Sequence, residues 1–384
     1  MRLIHGILHP MTGPMVEDGY LTLKEGIIQD LGPMDRMPVD EEPLLDLQGL
    51  HVYPGLIDAH CHLGMWEEGL DFEGDDGNED TDPATPQLRA IDGVNPMDAA
   101  FVETLRAGIT TVVTGPGSAN PIGGQLCALK TWGVCVDDMI LKAPVGMKFA
   151  LGENPKNTYH DKSQAPTTRM ATAAIIREQL KKAQRYQEDQ QRAREDEDCD
   201  APEYDPKCEA LIPVLQGKLK AHFHAHRADD MFTALRLARE FHLDLVLVHG
   251  TEGHLVSQRL AQTGVPVITG PLISTRPKPE LRNASYTNPG VLARAGVPTA
   301  ICTDHPEIPC NFLTVCAAVA VREGMPWGQA MQAITIQAAA ICGIQDRVGS
   351  LEVGKDGDLA IFRGDPLTAS EKPVMVFVNG QQAV

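Results

Sequence analysis

The sequence lacks the features that mark exported, membrane-bound or nucleic-acid-binding proteins. Its N-terminus, MRLIHGILHPMTG, has neither a long apolar segment nor a small-residue cleavage site, so no signal peptide is expected. No run approaches about 18 apolar residues, so no transmembrane helix is expected. Only 33 Lys and Arg stand against 52 Asp and Glu, and the net charge of -19 disfavours contact with a phosphate backbone. We therefore expect a cytoplasmic protein with neither a nucleic-acid nor a membrane partner.

The cysteines form neither a disulfide framework nor a CxxC metal motif. There are nine of them, which is an odd number, and they are scattered along the chain. Free thiols in a reducing compartment are the interpretation that this pattern favours.

Both ends of the chain are typical of short strands and turns, whereas the middle alternates apolar strands with amphipathic helices. With 43% hydrophobic and 22% charged residues, the composition is that of a globular protein. Strands that alternate with helices favour a parallel sheet, and this many units favours a (β/α)8 TIM barrel of the α/β class. We predict the barrel over residues 54–345, and a small composite β-sandwich domain from residues 1–53 plus 346–384.

The histidines concentrate where the predicted strands end. Of the thirteen, His60 and His62 close the first barrel strand and share one face of it. A later strand runs into the histidine-rich segment 222–226, the next strand ends in His249, and the last is followed by Asp304. Because the strands of a parallel barrel converge at their carboxyl ends, these side chains are expected to meet at one mouth.

Imidazoles and carboxylates at one mouth indicate a metal site. Neutral imidazole nitrogens and carboxylate oxygens suit zinc, iron or manganese. Such an ion activates water near neutral pH and polarises a carbonyl group. Asp304 could then accept the proton of that water and deliver it to the leaving group. Ligand-type residues at four separate strand ends favour this interpretation over isolated structural histidines.

These ordered motifs resemble those of the amidohydrolase superfamily. VYPGLIDAHCHLG at 52–64 is similar to the strand-one motif PGxIDxHxH, and the segments 349–367 and 374–384 resemble the C-terminal β-segment of that family. HAHR, VHG and CTD follow in the order that the family shows. The resemblance implies a metal-bearing barrel with a composite β-domain. It is closest to the group that includes imidazolonepropionase-like and prolidase-like hydrolases.

The resemblance also implies a role for each matching residue. Four histidines and one aspartate match the metal ligands of the family: His60, His62, His224, His249 and Asp304. Asp304 is in addition expected to act as the general base and acid. His222 and His226 face the same way as His224, so they stay open as alternatives. The cofactor is expected to be one or two divalent ions, zinc first, with manganese or iron as alternatives.

A two-metal site would also need a bridging anion, for which there are two candidates. Glu153 could bridge directly, and Lys148 could bridge after carboxylation. We expect Lys148 to start its strand, about 17 Å before the end where the ligands converge. Glu153 is therefore our predicted bridging ligand. A mononuclear site that uses neither residue is the third alternative.

One departure from the family pattern narrows the chemistry. The deaminase-like and imidazolonepropionase branches carry a glutamate three residues after the strand-five histidine, where this chain has Arg227. An arginine cannot act as that acid at neutral pH, so deamination and imidazolone opening are disfavoured. We expect Arg227 and Arg89 to bind a substrate carboxylate. For Arg227, an ion pair with Asp229 or Asp230 is the alternative.

The function expected is therefore that of a metal-dependent amidohydrolase. It would cleave a non-peptide carbon–nitrogen bond, in an amide or cyclic amide, of a small substrate that bears a carboxylate. A prolidase-like dipeptidase and a non-catalytic binding or scaffold homologue are the alternatives, and the intact ligand set favours catalysis. The acidic segment 67–82 is either a pocket wall or a solvated loop. His254 and His305 are expected near the mouth in supporting roles, and a homo-oligomer is compatible with the resemblance.

Overall fold

A computed structural model describes all 384 residues. The strands are β1 (Arg2–Leu8), β2 (Val16–Lys24), β3 (Ile27–Pro33), β4 (Leu44–Asp46), β5 (His51–Pro54), β6 (Leu56–Cys61), β7 (Ile109–Thr114), β8 (Ile122–Lys130), β9 (Ile140–Ala150), β10 (Lys220–Ala225), β11 (Leu245–His249), β12 (Val267–Thr269), β13 (Thr299–Ile301), β14 (Leu359–Phe362), β15 (Met375–Val378) and β16 (Gln381–Gln382).

The helices are α1 (Ala99–Arg106), α2 (Val136–Met139), α3 (Glu153–Asp161), α4 (Arg169–Glu195), α5 (Pro206–Leu215), α6 (Ala228–Phe241), α7 (Ser257–Ala261), α8 (Asn288–Arg294), α9 (Leu313–Arg322), α10 (Trp327–Ala333) and α11 (Ile336–Cys342). None of them combines the length and the apolar character that crossing a bilayer requires.

Strands β6 to β13 form one eight-stranded sheet in sequence order, which confirms the predicted barrel. Strand β6 runs parallel to β7, and β9 to β13 are all parallel. Strand β8 differs from the expectation, because it is antiparallel to both of its neighbours. Only residues 115–121 connect β7 to β8, too few for the crossover that a parallel strand needs.

Backbone hydrogen bonds near the carboxyl ends join the first barrel strand to the segment after the last. The amide of His62 donates to the carbonyl of His305 (2.9 Å), and the amide of Asp304 donates to the carbonyl of His60 (3.2 Å). These bonds nearly close the barrel and bring residues that are far apart in sequence next to one another.

Helix α4 illustrates how the outer layer packs on the barrel. It begins at a capping residue, Thr168, whose hydroxyl accepts a hydrogen bond from the amide of Ala171 (3.1 Å). Ile176 and Leu180, one helical turn apart, are fully buried on its inner face. They belong to a core that also contains the stacked rings of Phe149 and Phe223, whose centroids lie 4.5 Å apart.

The second sheet draws its strands from both ends of the chain, which confirms the predicted small β-domain. Its strand order is β16-β15-β14-β5-β1-β2-β3, and β4 pairs with β1. The chain passes to the barrel through Gly55, where an added Cβ would lie 2.1 Å from Oγ1 of Thr110. Glycine is therefore required at that crossing. The exact division of the chain at residues 54 and 345 stays a prediction.

A buried ion network ties the barrel to the C-terminal β-segment. The ammonium of Lys130, at the end of β8, lies 2.7 Å from a carboxylate oxygen of Asp356 and 2.6 Å from one of Asp358. Arg347 also pairs with Asp356 (2.6 Å). The side chains of Lys130, Asp356 and Asp358 are at most 4% exposed, so each charge depends on its partners rather than on water.

We expect Lys130→Met to destabilise the protein by about 3–5 kcal/mol, because it leaves buried carboxylates without their cation. The control is Lys182→Met, which breaks the ion pair between Lys182, 57% exposed, and Asp205. That loss should stay within about 1 kcal/mol. Urea unfolding of both variants measures the difference, and equal losses would contradict a supporting role for the network.

Candidate metal centre

Ligand-type side chains from five barrel strands meet at one end of the barrel. They lie within three residues of the carboxyl ends of β6, β9, β10, β11 and β13, and all but Asp304 are buried. The group comprises His60, His62, Lys148, His224, His226, His249 and Asp304. The structure thus brings together five of the six predicted metal ligands, and it adds Lys148 and His226.

The first part of this group is built around His60 and Asp304. Oδ1 of Asp304 lies 3.5 Å from Nε2 of His60 and 3.4 Å from Nε2 of His62. The ammonium of Lys148 lies 3.0 Å from Nε2 of His60. Three potential ligand atoms and the side-chain nitrogen of Lys148 therefore surround one small volume.

The second part is a trio of imidazoles. The ring centroids of His224, His226 and His249 lie 4.6–4.7 Å apart, and one nitrogen from each ring falls within 4.8 Å of the others. His249 also forms such a group with His60 and Asp304. The two parts therefore adjoin each other and share His249.

Hydrogen bonds from neighbouring chain segments set the orientation of three rings. Nδ1 of His62 contacts the carbonyl of Gly115 (2.7 Å), and Nδ1 of His249 contacts the carbonyl of Gly270 (2.8 Å). Nδ1 of His226 contacts the hydroxyl of Thr251 (2.7 Å). A proton held on Nδ1 leaves the Nε2 lone pair free, which is the usual arrangement of a metal-binding histidine.

The donor set fits a divalent cation. Burial lowers the pKa of His249 to about 4 and holds the pKa values of His60 and His224 well below the usual range, so these rings are neutral. Both ring nitrogens of His224 are buried without a hydrogen-bond partner. Such orphaned polar atoms are unfavourable unless another group satisfies them. Neutral nitrogen ligands beside a carboxylate suit zinc and related ions.

The two charged groups of the centre respond differently to burial. Burial alone would raise the pKa of Asp304, but the imidazoles of His249, His60 and His62 lower it well below its usual range. Burial lowers the pKa of Lys148 to about 8. The carboxylate is therefore ionised near neutral pH, and a part of the lysine population carries a neutral, nucleophilic amine.

Two residues of the centre have strained backbones. The φ angles of His249 (72°) and Asp304 (59°) lie in the left-handed region that non-glycine residues rarely adopt. Strain of this kind costs free energy and concentrates at functional sites. Here the strained residues are the last residue of β11, His249, and Asp304, which lies three residues after the end of β13. Both face the mouth of the barrel.

The structure does not bring Glu153 into either part of the centre. Its carboxylate accepts a hydrogen bond from the amide of Glu280 (3.1 Å), and its own amide donates to the carboxylate of Glu280 (3.0 Å). The preference for Glu153 assumed that the strand begins at Lys148, and that assumption is wrong. Strand β9 begins at Ile140, which puts Lys148 two residues before its carboxyl end.

The predicted substrate-binding arginines also lie outside the mouth. Arg227 pairs with Asp229 through two hydrogen bonds of 2.9 and 2.8 Å, which is the ion pair given above as its alternative. Arg89 pairs in the same way with Asp92, at 2.9 and 2.8 Å. Both guanidinium groups are on the surface. Neither lines the cavity over the centre, so their contact with substrate stays a prediction that competes with the role proposed for Lys278.

A cavity of about 550 Å³ lies over the centre and is reached by residues that the sequence did not single out. Lys278, in the loop between β12 and α8, lines it, and its ammonium lies 3.0 Å from Oε1 of Glu280. The fully buried carboxylate of Glu280 lies 3.6 Å from Nε2 of His226 and 3.9 Å from Nε2 of His224. The sequence has no motif that marks this loop, so its position beside the metal centre is seen only in the folded chain.

Other sequence candidates divide between the cavity and the protein interior. Asn78 lines the cavity, so the acidic segment 67–82 contributes to the pocket wall. His222 is fully buried in β10, with neither ring nitrogen hydrogen-bonded, and belongs to neither part of the centre. His254 and His305 do not line this cavity.

Comparison with known proteins agrees with this architecture. A sequence model of the amidohydrolase family matches residues 227–384. The crystal structure of an amidohydrolase from Thermotoga maritima MSB8 is 38% identical and has a TM-score of 0.96, with 100% of this chain and 99% of that chain covered. This chain belongs to the amidohydrolase superfamily.

Two curated relatives are more distant. Amidohydrolase tasK of Hapsidospora irregularis is 27% identical over 94% of this chain, which spans only 39% of the length of that relative. Imidazolonepropionase of Maricaulis maris is 25% identical, with 91% of this chain and 88% of the relative covered. Both relatives agree with membership of the amidohydrolase superfamily.

The positions of Lys148 and Glu153 lead to a test by metal content. We expect Lys148→Met to retain clearly less divalent metal than the unmodified protein, because the side chain adjoins His60. Glu153→Gln should retain the full amount, because its carboxylate is occupied by the amide of Glu280. Both variants and the unmodified protein would be loaded with zinc, and the zinc bound per protein chain would be measured by elemental mass spectrometry. If only Glu153→Gln lost metal, Glu153 rather than Lys148 would belong to the metal centre.

Proposed function

We propose that this protein is a metal-dependent hydrolase that cleaves a carbon–nitrogen bond, other than a peptide bond, in a small amide or cyclic amide that bears a carboxylate. The observation that carries the proposal is the meeting of Asp304 with His60 and His62, at 3.4–3.5 Å, beside the imidazole trio. A non-catalytic homologue would have no need to retain this buried ligand set.

We assign the metal ligands from the two parts of the centre. His60, His62 and Asp304 would hold one divalent cation, and His249 with His224 would hold a second, for which zinc is our first choice and manganese or iron the alternatives. His226 is the alternative to His224, because Nε2 of both rings lies within 3.9 Å of the same oxygen, Oε1 of Glu280. When bound, the cations would activate water for attack and polarise the scissile carbonyl.

We assign the bridging role to Lys148 rather than to Glu153. The neutral amine that burial favours would react with carbon dioxide, forming the N–C bond of a carbamate while the nitrogen releases a proton to water. The carbamate would add a second anionic group beside the Asp304 carboxylate. The support is the 3.0 Å contact of the Lys148 ammonium with His60, together with the pKa of about 8.

The chain's own residues then move the proton. The ionised Asp304 carboxylate would accept the proton of the attacking water and deliver it to the leaving nitrogen. Its contacts with His60 and His62 hold the carboxylate in place. The imidazole rings fixed by Gly115 and Gly270 keep the ligand nitrogens directed at the same volume, so little rearrangement is needed during reaction.

Lys278 is the residue to which we assign the substrate carboxylate. It is the only lysine or arginine that lines the cavity over the centre. Its ammonium is held by Glu280 and donates to Oδ1 of Asn154 (2.9 Å), and its side chain is 28% exposed, so a donor stays accessible. An ammonium held in this way can bind a carboxylate by a charge-assisted hydrogen bond.

The proposed function is tested by metal-loaded turnover. Zinc- and manganese-loaded protein would be incubated with N-acyl amino acids, lactams and dipeptides, and Asp304→Asn would be the inactive control. We expect hydrolysis of an acyl amide or a lactam, reduced by about a thousandfold or more in the variant. Hydrolysis confined to dipeptides would favour the prolidase-like alternative. No turnover by fully loaded protein would favour the binding homologue.

The carboxylate site is tested by comparing two cations. We expect Lys278→Met to raise KM about tenfold or more for the carboxylate-bearing substrate, and to leave KM unchanged for its neutral amide analogue. Arg227→Met should change neither value, because Arg227 pairs with Asp229 on the surface. A rise in KM for Arg227→Met, with none for Lys278→Met, would instead assign the substrate carboxylate to Arg227.

A further inference from the structure

A second cavity, of about 310 Å³, lies beside the mouth but is separate from it. It has no lining residue in common with the cavity over the metal centre. Residues that follow one another in the sequence line the two cavities. Trp66 and Pro306 line the first, whereas their neighbours Glu67 and His305 line the second. No role assigned above uses this cavity.

The charge of this second cavity is uniformly negative. Four carboxylates line it, those of Glu67, Glu68, Asp98 and Glu103, and no lysine or arginine does. None of the four forms an ion pair, as judged from all the salt bridges in the structure. Such a recess attracts cations and repels anions.

Residues that line the same recess carry buried polar atoms without partners. His305 is 1% exposed, and neither of its ring nitrogens has a hydrogen-bond partner. Asp98 is 7% exposed; Oδ1 accepts from the amide of Ala100 (3.0 Å), but Oδ2 has no partner. Oδ1 of Asn311 is likewise unpartnered. Since buried polar groups are normally satisfied, these atoms point to a missing donor.

The rest of the wall is apolar. Leu70, Met97 and Phe312 line the cavity and are 48%, 69% and 46% exposed, so they form a rim that water reaches. An occupant that satisfies the inner acceptors can therefore also bury an aliphatic chain against the rim.

We propose that this cavity binds a small primary alkylammonium ion. An ammonium group carries three N–H donors, which matches Oδ2 of Asp98, Oδ1 of Asn311 and the unprotonated ring nitrogen of His305. The four carboxylates offset its charge, and the alkyl chain lies against Met97 and Phe312. A transition metal fits less well, because no three histidine, cysteine or carboxylate ligand atoms of this cavity lie within 4.8 Å of one another.

The test is titration calorimetry with n-butylammonium chloride. Metal-free and metal-loaded protein are compared, because an amine could otherwise bind at the metal centre itself. We expect one equivalent to bind equally to both forms. Neutral n-butanol, sodium chloride and magnesium chloride should give no matching signal. Absence of butylammonium binding, binding only to the metal-loaded form, or equal binding of sodium or magnesium would each overturn the proposal.

Two variants locate the binding. Asp98→Asn keeps the helix cap but removes the inner charge, and it should weaken binding about tenfold or more, or about 1.4 kcal/mol. Met97→Lys places an ammonium at the exposed rim and should block the cavity. Glu178→Gln, an exposed residue of α4 that does not line the cavity, is the charge-matched control and should bind as before. Unchanged binding in both cavity variants would refute the site.

Discussion

The metal centre depends on the hydrogen bonds that join the end of β6 to the segment after β13. The amide of Asp304 donates to the carbonyl of His60, and the amide of His62 donates to the carbonyl of His305. Through these bonds the last barrel segment is held against the first, and the Asp304 carboxylate comes to lie 3.4–3.5 Å from two imidazoles. The left-handed backbone of Asp304 is tolerated because the surrounding structure holds it there.

Burial gives this arrangement its chemical character. It keeps the imidazoles neutral and lowers the pKa of Lys148, while the same imidazoles keep Asp304 ionised. Neutral nitrogen ligands and an ionised carboxylate are what a metal centre that activates water requires. A surface cluster of the same residues would be solvated, and its nitrogens would be satisfied by water.

Much of the site could be predicted because strand ends converge in any parallel barrel. That rule alone groups His60, His62, His249 and Asp304, and the family resemblance adds His224. It does not account for the position of Glu153, since that prediction depended on where β9 begins, and the half-buried to exposed first part of the strand, which contains Pro144, hides its start at Ile140. It also gave no information about Lys278, because a loop residue reaches a cavity through tertiary packing and not through periodicity.

The barrel, the small β-domain built from both ends, and the residue types that gather at the mouth could all be read from the amino-acid sequence, because hydrophobic alternation and motif order are visible along the chain. The folded chain was needed to show that β8 runs antiparallel, that Lys148 and not Glu153 adjoins His60, and that Arg227 pairs with Asp229. Each of these depends on distances between segments remote in sequence. The acidic recess around His305 is of the same kind, since its carboxylates and its unpartnered atoms come from three separate segments.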